Sequence, residues 1–229
     1  MMYPFFDSTM IFLIPALLFS MWAQFKVKSA YSKYSEVRSQ NGVTAEIACR
    51  EMLNRFGLAE VPIERVPGEL TDHYDPRAKV LRLSDSVFGS PSIAAIGVAA
   101  HEVGHAIQDK EGYSMLRIRN SIVPVVNIGS MLSMPLFFLG ILLSSLNLLN
   151  LGIIMFCSVL VFHLVTLPVE FDASARALKN LSDTGLLVGG EIKGAKYVLD
   201  AAALTYVAAL VMTVLQLVRL IALRGSRRD

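Results

Sequence analysis

The sequence predicts a mainly α-helical membrane protein, with three to four transmembrane helices and a water-facing α+β segment after the first of them. Three observations predict it. Four apolar runs stand at residues 9–25, 121–146, 148–169 and 197–223, each close to the length a helix needs to cross a bilayer. Hydrophobic residues make up 54% of the 229 residues and charged residues 17%, and the mean hydropathy is +0.52. The charges gather between the runs: of twenty-one lysines and arginines, thirteen lie in residues 26–120 and four in 170–197.

The first run extends back to Tyr3 if Asp7 lies at the interface. Residues 1–10 contain no Lys or Arg, so the charged start of a signal peptide is missing, and the run reads as an N-terminal transmembrane helix over residues 1–25. Lys26, Lys28, Lys33 and Arg38 follow it, which puts the next segment in the cytoplasm by the positive-inside rule.

Residues 26–120 form the polar segment. Ala45, Ala48, Cys49, Met52, Leu53 and Phe56 recur at helical spacing, predicting an amphipathic helix over 43–56 with Gly57 as its stop. Residues 61–66 suit a short strand. Asp72 to Arg77 reads as a turn around Asp75-Pro76. Residues 79–83 alternate polar and apolar like an exposed strand, one that can take an extended peptide alongside it, with an ordinary core strand as the alternative. Ser90 followed by Pro91 predicts an N-cap and first helical residue, with a buried helix over 91–108.

The two middle runs are joined by a short uncharged link and predict a transmembrane hairpin over 121–169. It returns the chain to the side it left. Residues 170–197 then hold a helix and loop, and residues 198–229 a last transmembrane helix with a basic tail of Arg224, Arg227 and Arg228. If that helix spans, the tail lies outside, against the charge rule; the alternative is that it rests partly on the polar segment. His163, seven residues before Glu170, sits in the third run, where a histidine satisfied by a neighbouring helix is the favoured reading. The net charge of +2 gives no sign of a nucleic-acid partner. Cys49 and Cys157 are too few and too far apart to imply a disulfide framework.

The chemistry centres on His101-Glu102-Val103-Gly104-His105. Histidines four apart share one face of a helix, so their imidazoles can hold one zinc ion, and Glu102 beside them can take a proton from water. Leaving Glu102 and two histidines unpaired in an apolar stretch would be costly. Gly104 between them suits the close approach of another backbone. A catalytic zinc takes a third protein ligand. No third histidine follows His105 closely, and Glu170 competes with all other carboxylates for the role. It lies where the hairpin re-enters the polar side, and Pro168 before it predicts that it starts a new helix. An oxyanion stabiliser or a partner orienting the ligands is also needed; His73, Tyr74, Asp172 and Arg176 are the candidates.

The blocks Val98 to Gln108, Leu70 to Pro76, Leu167 to Ser174 and Val198 to Tyr206 together resemble the bacterial neutral zinc metallopeptidases of the YugP type, over nearly the whole chain. That family is similar in turn to HtpX-like membrane zinc proteases, whose catalytic domain faces the cytoplasm. The resemblance implies a zincin-like, gluzincin α+β domain, Zn2+ as cofactor, His101, His105 and Glu170 as ligands, and Glu102 as general base. It implies a multi-pass protein of the cell membrane acting on peptides or membrane proteins. Gluzincins often carry Asp four residues after the ligand Glu; here that position is Ser174, and Asp172 stands nearby. An intramembrane protease of the site-2 type fits poorly, because the chain has no Asp-Gly pair. A zinc-binding membrane scaffold is the non-enzymatic alternative, and Glu102 argues against it.

Overall fold

Apolar periodicity organises the chain into helices α1 (Ile14–Ser35), α2 (Ala45–Arg55), α3 (Ile93–Glu111), α4 (Ser114–Leu142), α5 (Leu146–Asp183) and α6 (Gly190–Gly225), with strands β1 (Ile63–Val66), β2 (His73–Asp75) and β3 (Val80–Ser84). The computed structural model describes residues 8–226; residues 1–7 of the expected first span and Arg227 and Arg228 of the basic tail lie outside them. Four helical stretches are long and apolar enough to cross a membrane: Ser8–Ser35, Ser114–Leu142, Leu146–Asp183 and Gly190–Gly225. Among the described residues the protein is thus mainly helical, with four candidate membrane-spanning helices and a small mixed sheet.

The chain divides into two compact units. One takes the first helix to Gln24, Ile118–Leu167 and the chain from Leu204 onward. In it α4 and α5 pack through small residues. A Cβ on Gly129 would lie 2.1 Å from Ser158 Oγ, and one on Gly152 would lie 2.8 Å from the Ser133 carbonyl oxygen. Helices in lipid associate by such close approach, since burying apolar surface gains little there. Phe137, Leu149 and Leu220 form the buried cluster of this unit.

The other unit comprises Phe25–Arg117 and Pro168–Ala203. Its core joins α2 (Ala45, Met52, Leu53), the sheet (Leu81, Leu83), α3 (Ile96, Ala99, Val103, Ile107) and later residues Ala177, Leu181 and Leu199. The strand order is β1-β3-β2, with β1 parallel and β2 antiparallel to β3.

Several expectations need correction. Residues 73–75, read as part of a turn, are strand β2, pairing His73 with Arg82 and Asp75 with Val80. Strand β3, read as exposed and open to a peptide, is the central strand, with both edges taken. The α3 cap is Ser92, not Ser90: Ser92 Oγ accepts the Ala95 N–H, while Ser90 Oγ donates to Ser92 Oγ. The helix cannot start at Pro91, because Ser92 is still extended, with the Pro91 carbonyl accepting the Ser39 N–H and the Ile93 N–H donating to the Val37 carbonyl. It ends later than expected, at Glu111, with Gly112 in the left-handed conformation. Finally, Glu170 does not start a helix: α5 runs unbroken through Pro168 to Asp183. Val169, Ala173, Ala177 and Leu181, one residue in four, are all fully buried. This continuous packed face outweighs the hydrogen bond that an internal proline removes.

Candidate metal centre

Helix α3 is buried on nearly all sides, and its C-terminal half carries the motif. Its 3.6-residue period stacks His101 and His105, with ring centroids 4.7 Å apart and planes at 85°. Helix α5 supplies the facing carboxylate. His101 Nε2 lies 3.2 Å and His105 Nε2 3.6 Å from the same oxygen, Oε2 of Glu170. One ligand atom from each of His101, His105 and Glu170 falls within 4.8 Å of the others. Gly104 makes this approach possible, since a Cβ there would meet the Ala173 backbone of α5. The carboxylate that the sequence left in competition is therefore the one that folding brings to both imidazoles.

The outward nitrogens are occupied. His101 Nδ1 is 3.0 Å from Ser174 Oγ, and His105 Nδ1 is 3.0 Å from Gln108 Oε1. With each Nδ1 so engaged, both Nε2 atoms converge on Glu170. Two imidazole nitrogens and one carboxylate oxygen form a donor set suited to zinc. Burial works against a charged His105, yet Glu170 and Glu102 hold its pKa above the ordinary histidine value.

Glu102 lies next to His101 in the chain, and its Oε2 accepts the backbone N–H of Tyr74 at 3.0 Å. Tyr74 is in edge strand β2, so this N–H is free of the strand ladder and turned toward α3. Burial raises the Glu102 pKa, and the Glu170 charge adds to it, against the opposing His101, His105 and Tyr74 N–H.

The other candidates are engaged elsewhere. His73 is exposed, donates Nδ1–H to the Thr71 carbonyl at 2.8 Å and receives Arg82 Nη1 at 3.4 Å. Alternation along β2 puts it on the face opposite Tyr74. The Tyr74 hydroxyl donates to Asp109 Oδ2 at 2.7 Å, and Lys79 Nζ binds the same oxygen. Burial, then Asp109, raises the Tyr74 pKa. Arg176 brackets Asp172 and Glu111, both at 2.5 Å, over the Tyr113 ring. Asp172 also accepts Gln108 Nε2 at 2.8 Å. None of the four is in the three-ligand cluster. The sequence reading missed Gln108. A polar residue one turn beyond His105 in an apolar helix was the available signal.

The family described as "Putative neutral zinc metallopeptidase" matches residues 9–225. The chain belongs to this zinc metallopeptidase family. It is also 50% identical over 216 residues to "Putative membrane protease YugP" of Bacillus subtilis (strain 168), covering 94% of this chain and 96% of that protein. No solved structure matches it. Among the described residues, His101, His105 and Glu170 form the group that could hold a metal ion.

Proposed function

We propose that the chain is an integral membrane zinc endopeptidase of gluzincin type, cleaving membrane-associated proteins or peptides at the cytoplasmic face. One observation carries the reading: both motif imidazoles turn Nε2 toward Glu170, with the partly buried Glu102 beside them. His101, His105 and Glu170 hold the metal. Bound zinc supplies Lewis acidity toward a peptide carbonyl and toward water. Glu102 is the general base: it takes the proton of the attacking water and delivers it to the departing amine. The Tyr74 N–H on Oε2 keeps its carboxylate aimed while leaving Oε1 to carry the proton. Residues 26–120 and 170–197 form the catalytic and third-ligand segments. Their share of the basic residues supports a cytoplasmic location.

The test is cleavage of a peptide library by detergent-purified protein, with zinc content recorded, for wild type and Glu102→Gln. Zinc-dependent cleavage that disappears in a Glu102→Gln protein still carrying zinc supports the mechanism. Equal cleavage by both proteins rules it out, and bound zinc without cleavage by either turns the reading toward a zinc-binding scaffold.

A further inference from the structure

Gln108 is completely buried, so every polar atom of its amide must find a protein partner. Nε2 donates to the Val169 carbonyl and to Asp172 Oδ2, both at 2.8 Å, and Oε1 faces His105 Nδ1 at 3.0 Å. Val169 O and Asp172 Oδ2 are pure acceptors. Turning the amide over would set oxygen against both, so its orientation is determined by its neighbours. Oε1 can then only accept, which requires the proton of His105 to sit on Nδ1. Nε2 is the nitrogen left for a metal.

We propose that Gln108 is the positioning residue of the metal centre, locking His105 in the tautomer and ring orientation that presents Nε2 to the ion. This rests on the reading of His101, His105 and Glu170 as ligands. The same amide grips Val169, the residue before Glu170, so one side chain sets a ligand on α3 and the turn carrying a ligand on α5. The amide is neutral, unlike the carboxylate that commonly backs a metal-binding histidine. Ser174 gives His101 a neutral partner as well. Both imidazoles are then less electron-rich than carboxylate-backed ones, and a bound ion keeps more of its Lewis acidity. A purely structural Gln108 would tie α3 to α5 without regard to which partner bears the charge.

Swapping the charge separates these roles. Gln108→Met removes the hydrogen bonds at similar volume. Gln108→Glu sets a carboxylate against the Val169 carbonyl and Asp172. Gln108→Glu combined with Asp172→Asn restores an acceptor for His105 and a donor between the two side chains, leaving only the Val169 carbonyl without its donor. Zinc affinity is measured by chelator competition on the detergent-purified full chain, with the Co(II) absorption spectrum of each variant as a report on ligand geometry. Gln108→Met and Gln108→Glu are expected to weaken zinc binding about 10–100-fold, and the double variant to recover most of the affinity and the wild-type cobalt spectrum. Undiminished binding by Gln108→Met overturns the proposal. So does a double variant no better than Gln108→Glu, which decides the matter even if Gln108→Met does not fold. Zinc binding lost in His101→Ala but indifferent to Gln108 leaves the ligand reading standing and removes only this proposal. Zinc binding that survives His101→Ala overturns both.

Discussion

The carbonyl oxygen of Ala173 stands 2.5 Å from the point a Cβ on Gly104 would occupy, with the Ala173 Cα at 3.1 Å. Helices α3 and α5 therefore touch backbone to backbone, between the two motif histidines and three residues past Glu170. Gly104→Ala cannot be relieved by a rotamer change, so the helices must part. The expected cost is about 1–3 kcal/mol, together with weaker zinc binding as Glu170 withdraws from the histidines. Gly97→Ala is the comparison: its Cβ would meet the Ala195 Cβ at 3.3 Å, a contact that a small shift relieves. Thermal unfolding and zinc titration of both variants check this, with Gly104→Ala clearly the worse.

Tyr74 serves through two groups that substitutions can separate. Tyr74→Phe removes only the hydroxyl bond to Asp109, at an expected stability cost of about 1 kcal/mol. Tyr74→Pro removes the N–H that holds Glu102 and also the buried ring. Its site on an edge strand, with the N–H outside the ladder, is one where proline is tolerated. Turnover should then fall about tenfold or more while zinc content holds. Single-turnover cleavage alongside metal analysis reads both, and equal turnover in the two variants would remove Tyr74 from the positioning of Glu102.

Asp72 accepts the Ser84 N–H and hydroxyl, both at 2.8 Å, yet burial raises its pKa from the ordinary carboxylate value. The folded state therefore holds this proton at pH values where the unfolded chain, titrating near about pH 4, has lost it. The stability this contributes is full below the unfolded pKa and is lost as pH rises through the folded one. Asp72→Asn can keep both Ser84 bonds without burying a charge. Its stability relative to wild type should rise from about pH 4 to pH 7, as unfolding curves across that range will show.

A cytoplasmic catalytic segment predicts opposite labelling of two exposed sites. Asn147→Cys, at the start of α5, should react with an impermeant thiol reagent in intact cells. Glu60→Cys, after α2, should react only once the membrane is opened. The reverse pattern would overturn the orientation. Cys49 is buried, so a variant with Cys157 replaced supplies the background.

Elements with a local period were legible in the residues. Ala45, Ala48, Cys49, Met52 and Leu53 announced α2, and all are buried on it. The four apolar runs announced the long helices. His101 and His105 were legible as a pair because a spacing of four needs nothing beyond one helix to bring them together. Gly104 was legible as a contact point, though not what it touches.

What local pattern could not supply was decided by residues distant in sequence. Pro168 read as a helix start, but α5 passes through it because the face from Val169 to Leu181 is packed throughout. β2 read as a turn, because three residues gain strand geometry only from a partner, and that partner is β3. Ser92 took the cap from Ser90 because the backbone around it pairs with residues 37–39. Ser174 stands behind His101, and Val169 and Asp172 orient the Gln108 amide behind His105, only because α3 and α5 meet at Gly104. By itself the sequence determined the long apolar helices, the two imidazoles and Glu102 beside them, since each follows from spacing along one chain segment. The tertiary structure alone decided that the Glu170 carboxylate faces them, that Ser174 contacts His101 and that Val169 and Asp172 hold the Gln108 amide, since those contacts span sixty or more residues and arise only when helices pack.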